Sequence, residues 1–148
     1  MEFIDHLSLG FAIALSPVNL LFVTLGVVVG TLIGALPGIG PVAGIAILIP
    51  LSFGMDPTSA MILMCGIYYG CMYGGTITSV LMNVPGESST IMTCLDGYAM
   101  ARKGRAGPAL TIAAIGSFIA GTFSVVMLTL LAPPIAEAAL SFGPPEYF

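Results

Sequence analysis

Long apolar stretches, separated by short clusters of charged and turn-forming residues, make up most of this sequence. No Asp, Glu, Lys or Arg occurs between Asp5 and Asp56, and residues 57–86 and 106–136 are equally free of charge. A helix needs about 20 mainly apolar residues to cross the hydrocarbon core of a membrane. Each stretch is long enough, so the pattern predicts an all-α integral membrane protein, a polytopic bundle in a lipid bilayer.

The stretches divide into three predicted spanning helices, at residues 18–36, 58–83 and 108–132, the last ended by Pro133-Pro134. Residues 3–15 are predicted to form a short interfacial or tilted helix. The apolar segment at residues 42–53 would be only about 18 Å long as a helix. That is too short to span comfortably, so a half-helix or re-entrant segment is predicted. Whether this segment crosses decides the side on which the N-terminus lies, and the sequence is compatible with both.

Glycine recurs at every fourth residue in the first two predicted spans. The two rows are Gly26, Gly30 and Gly34, and Gly66, Gly70 and Gly74. Packing drives helix association in lipid, and a row of glycines lets the backbone of another helix approach closely. Three glycines in register would be costly in a helix that had no partner. Each row is therefore predicted to be a helix-packing surface.

The composition agrees, since 57% of the residues are hydrophobic and only 7% are charged, against about 25% charged in a soluble domain. The basic residues Arg102, Lys103 and Arg105 fall in a predicted loop at residues 95–106, which the positive-inside rule places in the cytoplasm. Asp96 is predicted to cap a short helix in that loop. No basic run suggests a nucleic-acid partner, and the three cysteines match no metal or redox spacing. Neither a metal site nor a resident cofactor is predicted.

Pro-Gly motifs interrupt the apolar pattern at residues 37–41 and 83–86, which we call the first and second breaks. A break frees backbone N–H and C=O groups that are costly to leave facing lipid. Secondary transporters use such groups, because half-helix N-termini face anionic substrates and unwound carbonyls hold a coupling cation. The breaks and nearby hydroxyls therefore predict a substrate site, with Na⁺ or H⁺ as candidate coupling ion. The candidate substrate-binding residues are Pro37, Gly38, Gly40, Thr76, Thr78, Ser79, Asn83, Pro85, Gly86, Ser88, Ser89 and Thr90.

Other interpretations compete with a substrate site. If Pro37 and Pro85 are ordinary loop prolines, the protein is a scaffold or channel-type subunit without its own site. The carboxylate of Glu87 would repel an anion. We favour the interpretation of Glu87 as a charge at a helix N-terminus over its interpretation as a proton or Na⁺ ligand. An enzyme is not predicted, because the spans contain no His/Asp/Glu cluster and no nucleophile beside a base.

Five blocks of the sequence carry a family resemblance: GALPGIGP at residues 34–41, YYGCMYGG at 68–75, NVPGESST at 83–90, DGY at 96–98 and FGPPEYF at 142–148. In this order they resemble the large membrane subunit of tripartite tricarboxylate transporters. The resemblance covers nearly the whole chain. It maps the two Pro-Gly signatures of the family onto the first and second breaks.

The resemblance implies a multi-pass permease subunit of the bacterial inner membrane. Such a subunit takes up citrate and other carboxylates, driven by an ion gradient. Its implied partners are a small membrane subunit and a periplasmic solute-binding protein. Family members are several times longer than this chain. The chain is therefore expected to be an N-terminal fragment that carries about half of a binding site.

Overall fold

The structure is a computed structural model that describes residues 2–140 of the chain. These residues contain six α-helices. They are α1 (Glu2–Ala14), α2 (Pro17–Gly34), α3 (Gly40–Leu48), α4 (Pro57–Met82), α5 (Ile91–Arg102) and α6 (Ala106–Leu140). Two short 3-10 turns, Ile49–Ser52 and Ser88–Thr90, follow α3 and precede α5. No strand occurs within the described residues, and the predicted all-helical class is confirmed. The resembling block at residues 142–148 lies outside them.

Three of the described helices, α2, α4 and α6, are long and apolar enough to cross a membrane. Their most apolar 18-residue windows have mean hydropathies of 2.0, 1.3 and 2.0. Most of their large apolar side chains are exposed, which suits contact with lipid or with other protein segments rather than with water. Residues up to Leu110 form one compact unit, and the remainder of α6 belongs to a second.

The ends of α2 and α4 follow from local sequence. Ser16 before α2 and Asp56 before α4 accept hydrogen bonds from backbone N–H groups of the first turn. Pro17 and Pro57 each take the first helical position, where a missing N–H costs nothing. Asn83 ends α4 in the left-handed conformation, with φ of 59°, which asparagine tolerates better than most residues.

The two glycine rows pack against each other, and this contact joins α2 to α4. A β carbon at Gly26 would lie 2.5 Å from the carbonyl oxygen of Leu63, and one at Gly66 would lie 2.8 Å from that of Val23. The other four glycines of the rows meet the facing backbone in the same way. The predicted packing surfaces are confirmed, and each row is the partner of the other.

The α2 and α4 helices run in the same direction. Gly26 lies beside Leu63 and Gly34 lies beside Cys71, so the residue numbers rise together along both helices. The end of α2 is therefore at the level of the second half of α4. The connecting residues 35–56 must carry the chain back along the length of α2.

Helix α3 and its 3-10 extension make this return. A β carbon at Gly44 would lie 2.8 Å from Sγ of Cys71, which places the start of α3 near the end of α2. Met55, at the other end of the segment, lines a cavity together with Phe22, near the start of α2. Rises of about 1.5 Å per α-helical and 2.0 Å per 3-10 residue give about 21 Å for the segment. The short helix thus joins opposite ends of the α2–α4 pair.

The short helix predicted in the loop at residues 95–106 is present as the last part of α5, but it starts earlier than predicted and Asp96 is not its cap. Helix α5 already begins at Ile91 and contains Asp96 in its middle. The helical segment starts earlier because Glu87 and Thr90 bond reciprocally across the 3-10 turn that precedes it. Only the residues from 103 to 105 separate α5 from α6.

The predicted end of the last span at Pro133-Pro134 is also wrong, because α6 continues to Leu140 with both prolines inside it. A proline removes one backbone hydrogen bond from a helix and strains the preceding turn. In an apolar environment the neighbouring backbone groups still need partners, and a continuous helix supplies them.

We expect Gly30→Val to destabilise the α2–α4 pair strongly, because a β carbon at Gly30 would overlap the backbone of Ile67, which cannot rotate away. Overpacking of this kind costs about 3 kcal/mol. Gly10→Val is the matched control, since a β carbon at Gly10 meets nothing within 4 Å. Unfolding in detergent should show a large loss of unfolding free energy for Gly30→Val and a change within about 0.5 kcal/mol for Gly10→Val. Equal effects would contradict the packing.

Candidate functional site

The first break directly follows α2 and leads into α3. Gly38 and Gly40 have φ values of 89° and 64°, a region that only glycine adopts without strain. A β carbon at either position would meet nothing within 4 Å. Glycine is thus required here by the backbone conformation and not by lack of space. The missing side chains leave the backbone of the first break accessible.

The second break turns back along α4. After the left-handed turn at Asn83 the chain brings Gly86 onto Gly75, where a β carbon at Gly86 would overlap the Gly75 backbone. Gly75 lies seven residues before the end of α4, a distance of about 10 Å along the helix. Helix α5 then runs outward again, with Gly97 against Val80. Residues 83–102 therefore form a hairpin that enters and leaves at the same end of α4.

Both breaks lie at this one end of the α2–α4 pair. A β carbon at Gly75, which contacts the second break, would lie 3.9 Å from the carbonyl oxygen of Gly34. The first break begins at Pro37, three residues after Gly34. Helix α3 starts within the first break, and α5 starts five residues after the second, so two helix N-termini occur near this end.

The hydroxyl groups near the end of α4 are bonded within their own helix. Thr78 and Ser79 donate to the carbonyl oxygen of Gly75 over 3.0 and 2.8 Å, and Thr76 donates to that of Met72 over 3.2 Å. Thr78 and Ser79 are only 2% and 0% exposed. A hydroxyl that has donated its proton can still accept. These groups therefore offer acceptor oxygens rather than donors.

A compact set of hydrogen bonds shapes the chain that follows the second break. The Thr90 hydroxyl accepts from the Glu87 N–H over 3.3 Å and donates to the Glu87 carbonyl oxygen over 2.9 Å. The Ser89 hydroxyl donates to the Glu87 carboxylate. This pattern agrees with the interpretation of Glu87 as a charge at a helix start. The Ser88 side chain is exposed and makes no hydrogen bond within residues 2–140.

The structure divides the predicted site residues by accessibility. The exposed ones are Pro37, Gly38, Asn83, Pro85, Ser88 and Ser89. Gly40 and Thr76 are half-buried, and Thr78, Ser79, Gly86 and Thr90 are buried. The exposed group lies on the breaks themselves. The buried group lies in α4 and in the contacts that hold the second break in place.

A cavity of about 270 Å³ lies elsewhere, towards the start of α2. Its lining residues are Phe22, Leu25, Gly26, Val29, Leu51, Met55, Leu63 and Ile67. None of these carries a polar or charged side chain. This cavity cannot satisfy the oxygens of a carboxylate, and it is not the predicted substrate site.

Asn19 is a buried polar residue that the sequence reasoning missed. It is 6% exposed, and its Nδ2 donates to the carbonyl oxygen of Ile13 over 2.8 Å. Its Oδ1 accepts from the Ser59 hydroxyl over 2.7 Å. The amide thus ties the end of α1 to the starts of α2 and α4. The sequence feature that could have identified Asn19 is an amide side chain inside an apolar helix, where a polar group needs a protein partner.

Comparisons with known proteins identify relatives of the chain. A sequence model described as the tripartite tricarboxylate transporter TctA family matches residues 20–148. An uncharacterised 52.8 kDa protein of Agrobacterium vitis, named for the TAR-I ttuC' 3' region, is 55% identical over all 148 residues. An uncharacterised protein of Methanocaldococcus jannaschii is 28% identical over 115 residues, or 76% of the chain. The chain spans 30% and 28% of the lengths of these two relatives. No solved structure matches it.

We expect Asn19→Ala to lower the free energy of unfolding by about 1–3 kcal/mol, because it leaves the Ser59 hydroxyl without its acceptor and removes one of the two hydrogen bonds to the Ile13 carbonyl oxygen. The control is Thr24→Ala, whose exposed hydroxyl bonds only to the Leu20 carbonyl oxygen of its own helix. Unfolding in detergent measures both variants. A loss no greater for Asn19→Ala than for Thr24→Ala would show that the amide does not stabilise this end of the pair.

Proposed function

Because the chain belongs to the tripartite tricarboxylate transporter TctA family, we propose that it acts as part of a membrane permease subunit for tricarboxylates or related carboxylates. The family supports the role of a transporter component rather than an enzyme. The observation that carries the substrate site is the meeting of both Pro-Gly breaks at one end of the α2–α4 pair.

Two features of this end suit a carboxylate. Helix α3 starts within the first break and α5 shortly after the second, and the partial positive charge of a helix N-terminus attracts anions. The accessible backbone at Gly38 and Gly40 and the exposed hydroxyls of Ser88 and Ser89 add neutral contacts. A site of this kind holds a carboxylate through dipoles and hydrogen bonds, without a fixed cation.

Transport by this subunit is driven by an ion gradient in our proposal, with Na⁺ as the coupling ion and H⁺ as the alternative. The half-buried hydroxyl of Thr76 supports Na⁺, because it has donated its proton within α4 and its oxygen can still coordinate a cation. The alternative of H⁺ rests on Glu87, the half-buried carboxylate beside the second break.

The basic residues support an orientation in the bacterial inner membrane. Arg102 ends α5, and Lys103 and Arg105 follow it, where α5 leaves at the same end of α4 as the breaks. By the positive-inside rule this end faces the cytoplasm. The breaks then lie in the cytoplasmic half of the membrane, and the starts of α2 and α4 face the periplasm. A periplasmic binding protein would deliver the substrate there, with a small membrane subunit completing the assembly.

A scaffold or channel-type subunit without its own site is the competing function. The burial of Ser79 agrees with it, because a scaffold uses such hydroxyls between helices. The exposure of Ser88 favours a substrate site instead. The chain spans 30% of the length of its Agrobacterium vitis relative. We propose that other parts of the longer protein complete the site.

Citrate uptake tests this function in liposomes that contain the longer protein carrying this segment together with its partner subunits. Ser88→Ala should reduce uptake by about tenfold or more, as expected when a hydrogen bond to a charged group is lost. Its folding should be unchanged, because Ser88 makes no hydrogen bond within the described residues. Gly38→Val should abolish uptake, since valine cannot adopt a φ of 89° without strain.

The matched control is Ser8→Ala, an exposed serine of α1 whose hydroxyl donates to the carbonyl oxygen of Asp5. Uptake is measured under a Na⁺ gradient and, separately, under a H⁺ gradient. Wild-type activity in both Ser88→Ala and Gly38→Val would exclude the site. If the wild type takes up no carboxylate under the Na⁺ gradient and none under the H⁺ gradient, the proposed function is excluded.

A further inference from the structure

The depth of the second break depends on one contact between two backbones. A β carbon at Gly86 would overlap Cα of Gly75 and would lie 3.2 and 3.3 Å from the Gly75 carbonyl carbon and oxygen. In the reverse direction, a β carbon at Gly75 would lie 3.4 Å from Cα of Gly86. Both glycines are buried. The opposing atoms are backbone atoms, so position 86 has no room for a side chain, whereas at position 75 a methyl group fits and only a larger side chain would displace Gly86.

Three parts of the chain meet at Gly75. The second break lies on one side of it, and the end of α2 lies on another, at the carbonyl oxygen of Gly34. Its own carbonyl oxygen accepts the hydroxyl protons of both Thr78 and Ser79. A displacement at this residue would therefore change the position of the second break relative to the first break and to the hydroxyls of α4.

We propose that Gly75 is a positioning residue of the substrate site. It has no side chain with which to bind substrate, and its role is to let Gly86 approach α4 so that the second break lies beside the first. This inference rests on the proposed transport function. A larger residue at position 75 should push the second break outward, and Ser88 should move with it.

A size series at position 75 tests the proposal in the longer protein with its partner subunits. The β carbon of Gly75→Ala would lie at an ordinary contact distance of 3.4 Å from Cα of Gly86. The two additional methyl groups of Gly75→Val would have to displace Gly86. Each is combined with Ser88→Cys, and a membrane-impermeant maleimide labels open membranes in which both faces are accessible. The protein without the Ser88→Cys change gives the background labelling, which comes from its native cysteines, including the three in this segment. The matched control is Gly10→Val, because a β carbon at Gly10 meets nothing within 4 Å.

With Gly75→Val we expect labelling at position 88 to rise by about fivefold or more, and the KM for citrate of the same variant without Ser88→Cys to rise by about tenfold. Gly75→Ala should change both by less than about threefold. If the valine variant fails to fold, Gly86→Ala replaces it, because its β carbon would overlap Cα of Gly75 and should likewise raise labelling and KM. Gly10→Val should change neither. A purely structural role for Gly75 would lower the yield of folded protein without a graded change in labelling or KM.

Labelling that does not follow side-chain size, or uptake that falls while labelling stays constant, would overturn the positioning role. Absence of uptake by the wild type would instead count against the proposed function. The two failures are distinguishable because the labelling measurement does not require transport.

Discussion

Direct contact between the backbones of α2 and α4 is the constraint on which the other features depend. Six glycines in two rows allow this approach, and a side chain at any of them would meet the facing backbone. Because the rows pair in parallel, the chain has to return between them, and α3 with its 3-10 extension makes that return. The first break is consequently required at the end of α2, where the chain reverses.

The same contact determines where polar chemistry is available. One end of the pair is closed by Asn19 of α2, whose amide bonds to groups of α1 and α4. The other end carries both breaks, two helix N-termini and the exposed hydroxyls. The backbone dipoles at these helix N-termini attract anions. The polarity of the chain is thus concentrated where the helices are interrupted.

The features that sequence predicts well here are local. Lipid imposes the length of the spans, the four-residue period identifies the glycine rows, and the Pro-Gly motifs locate the breaks. The features that it does not predict depend on contacts between distant segments. They include the parallel pairing of the rows and the approach of Gly86 to Gly75. The early start of α5 is different, because its signal, the Glu87–Thr90 pair, is local and was overlooked. The helix also continues through Pro133-Pro134, because the need for backbone partners in an apolar setting outweighs the usual effect of proline.

Distances between pairs of spin labels test the parallel arrangement of α2 and α4 most directly. The labels are attached at Ser88 and at either Leu36 or Ser16, in a protein from which the three native cysteines have been removed. Leu36 adjoins the first break, whereas Ser16 precedes α2, whose 18 residues extend for about 27 Å. The distance from position 88 should be longer to position 16 than to position 36 by roughly 20 Å. Equal distances, or a shorter one to position 16, would contradict the parallel pairing and the meeting of the two breaks.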